Sequence, residues 1–117
     1  MPLIDQRQLT AMTAGAPELL LPILDEFETT TRDAIGRLGP ILSAGKIRES
    51  APEFHQLRGA SGTLGLRDFY ERCAQLEGRA AEGDPVEATE LVDLLDLLSS
   101  SVAVARTFLQ EPARDGS

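Results

Sequence analysis

His55 is the one imidazole in the chain, and it stands in the stretch FHQLRGASGTLG, which runs from Phe54 to Gly65 and holds three glycines and a serine. Imidazole is the side chain best suited to act as a nucleophile and to handle protons near neutral pH. Arg58 follows three residues later, within reach of the same helix face, and a guanidinium there can meet anionic oxygens. The glycines work against a helix, at roughly 1 kcal/mol each relative to alanine, so they call for a purpose. On a wheel of about 100° per residue with Phe54 at zero, Leu57, Ala60, Ser61 and Leu64 fall with Phe54 on one arc, the expected core face. His55 then points to water near ~100°, with Gly59 and Gly62 near ~140° and ~80° and Arg58 near ~40°. Glycine on an exposed face leaves a flat approach to the ring, so that a second protein can press its backbone against the imidazole. Ser61 lies on the core side, where its hydroxyl can bond a carbonyl one turn earlier. Arg48, Arg58 and Arg67 make a local positive cluster suited to an anionic ligand or an acidic partner site.

These residues must be carried by helices, because the periodicity is helical throughout and no alternating strand pattern occurs. Asp5 caps a short first helix that Gly15 stops. A second helix begins with Pro17 at its first position and ends at Gly45, with Leu20, Leu24, Phe27, Thr31, Ala34, Leu38 and Ile41 as its stripe. Kinks are expected in it at Pro22 and at Gly39-Pro40. The third helix, carrying His55, starts either at a capping box of Ser50 and Glu53 or near Lys46 with a bend at Pro52, and Gly65 ends it. A fourth runs from about Arg67 to Ala81 with Phe69, Cys73, Leu76 and Ala80 on one face, stopped by Gly83. Asp84-Pro85 then restarts the chain as cap and first position of a last helix reaching Leu109, with Leu91, Leu95, Leu98, Val102, Ala105 and Leu109 inward. The expected fold is all-α, an antiparallel up-and-down four-helix bundle with a short extra N-terminal helix over one end. Residues 1–110 form this bundle and 111–117 a flexible tail.

Several function classes are set aside by composition. A chain of 117 residues is sized for one domain. Its net charge of −8 opposes nucleic acid and anionic membrane surfaces alike. One cysteine, Cys73, and one histidine cannot build a disulfide or a typical His/Cys metal site, and Cys73 falls on the apolar stripe as a core residue. No apolar run is long enough for a membrane span, the N-terminus has no signal-peptide pattern, and a cytoplasmic setting is expected. The acidic pairs Asp25/Glu26 and Asp93/Asp96 are solvated helix faces rather than catalytic carboxylates, and Tyr70 has no evident base beside it.

The run His55-Gln-Leu57-Arg58-Gly59-Ala-Ser61-Gly-Thr-Leu64-Gly65 resembles the histidine phosphotransfer (HPt) domains, whose pattern is His-x-Leu-Lys-Gly-x-Ser-x-x-Leu/Phe-Gly. The match holds at His55, Leu57, Gly59, Ser61, Leu64 and Gly65, and the long helix from Pro17 and the segment Cys73 to Glu77 look like the family's second and fourth helices. The resemblance implies a helical bundle whose histidine takes a phosphoryl group from an aspartyl phosphate on a receiver domain and hands it to the aspartate of another. His55 would be the phosphoacceptor, through Nε2. Arg58 would replace the usual lysine, keeping the charge but exchanging a flexible ammonium for a planar fork. Gln56, Gly59, Gly62, Thr63 and Arg67 would touch the partner. No cofactor is implied for this chain, since Mg²⁺ would sit on the receiver. The partners would be receiver domains and a hybrid sensor histidine kinase, and the domain would be a monomeric phosphohistidine carrier without kinase activity of its own, either free-standing or the end module of a hybrid kinase. Two other readings compete. "SGTLG" also resembles the phosphoacceptor domain of chemotaxis-type kinases, where the donor is an ATP-loaded kinase domain. A non-catalytic bundle that only binds receivers would keep its affinity without His55.

Overall fold

The computed structural model describes residues 3–13 and 16–111. Among these it is all-helical, with α1 Gln6–Thr13, α2 Leu21–Ser43, α3 Ala51–Thr63, α4 Arg67–Ala81 and α5 Ala88–Gln110. Single 3-10 turns, Pro17–Leu19 and Arg48–Ser50, lead into α2 and α3. The body is elongated, 53 × 22 × 20 Å. The closest helix pairings are α3 with α4 and α2 with α5, and further contacts of α4 with α5 and α2 with α3 close the ring.

One contiguous core runs along the middle. Leu24, Phe27, Thr31, Ile35 and Leu38 from α2 meet Phe54, Leu57 and Ser61 from α3, Phe69, Cys73, Leu76 and Ala80 from α4, and Leu91, Leu94, Leu98, Val102, Ala105 and Leu109 from α5. Phe27 and Phe69 meet edge to face, with centroids 6.4 Å apart. The α4 face is the one the periodicity predicts. In α2 the stripe passes through Ile35 rather than Ala34, and in α5 through Leu94 rather than Leu95, which is only half-buried. Burial drives the Cys73 thiol up to about 12, so it packs as a small apolar group and supplies no thiolate.

Helix ends account for the remaining differences. Gly45, Gly65 and Gly83 all take positive φ, at 77°, 71° and 80°, a region open to glycine at little cost, and each follows a helix as expected. Asp5 does cap α1, its Oδ1 accepting from the Gln8 N–H at 3.1 Å. The proposed stop at Gly15 lies outside the described residues. No capping box forms at Ser50. Its backbone is already helical, and its hydroxyl donates to the Ile47 carbonyl at 2.6 Å. The 3-10 turn thus feeds α3 directly, and Pro52 sits in the first helical turn, where its missing N–H costs nothing. Pro22 is likewise in the first turn of α2, while that helix continues through Pro40 to Ser43. Pro17 opens the 3-10 turn instead of α2 itself.

The last helix begins four residues after Asp84, at Ala88, because a true capping box forms from Glu87 and Glu90. Glu90 also accepts from Arg72 at 3.2 Å and from both terminal nitrogens of Arg79, which binds the Pro85 carbonyl as well. This knot ties α4 to the entrance of α5. The Arg79 hydrogen bond, then the Glu87 backbone N–H, hold the Glu90 carboxyl down to about 2. A depressed carboxyl stabilises the fold above its ordinary range near 4.5 and loses that contribution as pH falls toward about 2. Its arginine partners are about a third exposed, so solvent screening limits the expected loss in Glu90→Gln to ~1–2 kcal/mol at neutral pH. Urea unfolding of both proteins from pH 7 to 2 should show the gap closing below about pH 4.5. A gap independent of pH would mean that the carboxylate charge does not matter.

Candidate functional site

α3 carries few large side chains, and its small residues let α4 approach closely. Ser61 is fully buried at that contact and donates to the Arg58 carbonyl at 3.0 Å. Phe54, also fully buried, anchors the turn that bears His55. With Phe54 inward the next residue must point outward, and 62% of the His55 side chain is exposed.

The ring is not free-standing. Nδ1 lies 2.9 Å from Glu77 Oε2 on α4 and 2.9 Å from Arg58 Nη2. Arg58 Nε is 3.0 Å from the other Glu77 oxygen, and its guanidinium carbon lies 5.7 Å from the centre of the Tyr70 ring. One nitrogen cannot serve both neighbours at once. If Nδ1 holds the proton it donates to Glu77, and Nε2 carries the lone pair. If Arg58 donates to Nδ1, then Nε2 is protonated and cannot attack. Both bonds are charge-assisted; in the arrangement where Glu77, which holds Arg58 through its other oxygen, accepts from Nδ1–H, the Nε2 lone pair is left free. Glu77 escapes a single-helix reading, because its importance comes from α3 lying across from it. The available signal was its place beside the α4 core stripe, one residue after Leu76.

The other candidates divide. Gln56 and Gly59 are exposed on α3, and a side chain at Gly59 would meet nothing within 4 Å. Gly62 does not leave the approach open as expected. It is half-buried, and a β-carbon there would sit 2.9 Å from Tyr70 Cδ2. α4 packs on the ~40–80° side of α3, which the wheel alone assigns to solvent. Ala60, expected in the core, is exposed, because the buried arc is narrower than the apolar one. Thr63 is exposed and bonds the Gly59 carbonyl, and Arg67 is exposed and 3.7 Å from Glu71. The positive cluster does not form. Arg48 and Arg67 flank opposite ends of α3, a helix about 20 Å long; Arg48 binds the Glu82 carbonyl and Arg58 pairs with Glu77.

The site is therefore one outward histidine on an all-helical body, oriented by a carboxylate and flanked by a guanidinium. Comparison with known proteins places it. Residues 22–101 match the Hpt domain family, a stretch that takes in the site, nearly all of α2, the whole of α3 and α4 and the first part of α5, and the chain belongs to that family. Its role is accordingly histidine phosphotransfer in a phosphorelay, and domains of this family interact with receiver domains. The crystal structure of histidine-containing phosphotransfer protein B (HptB) from Pseudomonas aeruginosa PAO1 superposes with a TM-score of 0.69 at 22% identity, over 93% of this chain and 92% of that one. No curated protein sequence matches significantly. Among the described residues, no helix is long and apolar enough to cross a membrane.

Proposed function

We propose that His55 is the phosphoacceptor and that it relays a phosphoryl group between two receiver aspartates. The observation that carries this reading is the pairing of an exposed ring with Glu77 at Nδ1. The Nε2 lone pair attacks the phosphorus of a receiver's aspartyl phosphate. The P–O bond to the acyl oxygen breaks, and the aspartate leaves as a carboxylate. The ring keeps its Nδ1 proton and becomes cationic, a charge that Glu77 offsets. Attack by the next receiver's aspartate on the same phosphorus returns the electron pair to Nε2. Arg58 supplies positive charge for the phosphoryl oxygens, and Mg²⁺ belongs to the receiver. The chain is a carrier and not a kinase, acting as a monomer in the cytoplasm downstream of a hybrid sensor histidine kinase. Its four long helices run up and down in antiparallel order, with α1 as the added short helix, so that the α3 face is free to dock. Incubation with a ³²P-labelled receiver domain should give acid-labile, alkali-stable label on this protein. Label only from an ATP-loaded kinase domain would instead identify a chemotaxis-type phosphoacceptor, and binding with no label from either donor a non-catalytic module.

Docking covers His55 together with Gln56, Gly59, Thr63 and Arg67. Gly59→Gln adds a long side chain at an exposed position one turn from the ring, where a β-carbon meets nothing within 4 Å. Transfer should slow at least about tenfold, the equivalent of ~1.4 kcal/mol in the transition state, while thermal stability changes little. A wild-type transfer rate in this variant would sink the idea that the approach must be flat.

A further inference from the structure

Tyr70 has no place in the motif that identifies the family, yet it sits where three parts of the site meet. Its ring lies against Gly62, with Cδ2 and Cε2 at 2.9 and 3.1 Å from where a β-carbon would be. Any other residue at position 62 would push the ring away. On that seat the ring faces the Arg58 guanidinium, whose carbon is 5.7 Å from its centre, within cation–π range. Arg58 Nε in turn holds Glu77 Oε1 at 3.0 Å, which directs the guanidinium charge to the carboxylate while Oε2 stands 2.9 Å from His55 Nδ1, a nitrogen that Arg58 Nη2 also approaches to 2.9 Å. The seat itself is braced, because the Gln8 side-chain amide donates to the Gly62 and Thr63 carbonyls at 2.7 and 2.8 Å.

We infer that Tyr70, seated on Gly62, is a positioning residue that fixes Arg58 against Glu77 and thereby holds His55 as the Nδ1–H tautomer. This rests on the reading of His55 as the nucleophile, but it concerns the ring's tautomer and can be measured without phosphate. Arginine is essential to it. A planar guanidinium can stack on the ring with one face while its edge pairs with a carboxylate, which a lysine ammonium cannot do. The contact is made by the ring and not by the hydroxyl, so phenylalanine should serve equally.

The test is a long-range ¹H–¹⁵N correlation spectrum of His55 in the unphosphorylated protein at a pH where the ring is neutral. Wild type and Tyr70→Phe should both show mainly the Nδ1–H form. Tyr70→Ala and Gly62→Ala should each shift the tautomer ratio by about two- to five-fold toward Nε2–H, the range of an exposed cation–π contact. Alanine is the better helix former, so a change in Gly62→Ala does not come from a weakened α3. In an Arg58→Ala background, Tyr70→Ala should add nothing. An unchanged ratio in Tyr70→Ala, equal effects of phenylalanine and alanine, or an effect that survives without Arg58 would each overturn the inference. Label uptake from a phosphorylated receiver should fall in the same order. Failure of the wild type to take label would remove the relay reading while leaving the tautomer result to stand.

Discussion

His55→Gln should carry no acid-labile label from any donor, with its fold intact. The sequence contains one histidine, so no second imidazole can take over, and an amide nitrogen is not a nucleophile. The loss is expected to be complete rather than partial, because the group removed is the one proposed to form the bond to phosphorus. The side chain is mostly solvated and makes no core contact, so the change in stability should stay within about 0.5 kcal/mol. Glutamine can still donate to Glu77 and lie over α3, which keeps the docking face nearly unchanged. Affinity for an unphosphorylated receiver should therefore move little, as isothermal titration would show. Acid-labile, alkali-stable label on the variant would contradict this assignment outright.

Phe54→Ala should be the most damaging substitution for stability on the site helix. The ring is fully buried and belongs to the cluster that joins α3 to its neighbours. Truncating a buried phenylalanine costs about 3–5 kcal/mol in lost transfer energy and residual cavity, a large part of the ~5–15 kcal/mol that a domain of this size has in total. The expected fall in Tm is about 10–20 °C. The damage should reach the site only through unfolding. At low temperature, label uptake per folded molecule should match wild type, since the Phe54 ring lies in the core while the His55 side chain is mostly exposed to solvent. A protein that stays cooperative and stable but transfers slowly would show that Phe54 also sets the ring's orientation.

The parts of this molecule that could be read directly from sequence are those in which local and global preferences coincide. α4 is the best case. Phe69, Cys73, Leu76 and Ala80 recur at strict three- and four-residue steps, and glycines at positive φ stand just beyond both neighbouring helix ends. α3 is the opposite. Its small residues blur the boundary between buried and exposed faces: the wheel puts Ala60 inside and Gly62 outside, whereas the buried arc stops short of Ala60 and Tyr70 of α4 covers Gly62. The outward position of His55 was legible because Phe54 beside it leaves no alternative. Glu77 and Tyr70 were not, since their partners are 22 and 12 residues away in sequence along the chain and a wheel knows only its own helix. Neither expected cap, Ser50 nor Asp84, starts its helix, and for α3 the other expected start near Lys46 is the closer one, since helical geometry is present from Ile47. Ser50 and Asp84 have the residue types that cap well, but a 3-10 turn already supplies helical geometry at the first, and the Glu87–Glu90 pair, held by two arginines, outcompetes the second.

A lone imidazole beside the open space at Gly59 has a kinetic consequence. With His55 as the phosphoacceptor we propose, there is one seat, and donor and recipient are expected to occupy it by turns. A relay of this kind does not sort traffic by channelling it from one face to another. Its direction is set by which partners are abundant and which arrive already loaded, and raising the level of an idle receiver should throttle the flow to every other. Steady-state transfer measured against both partners should accordingly give the parallel double-reciprocal lines of a ping-pong exchange.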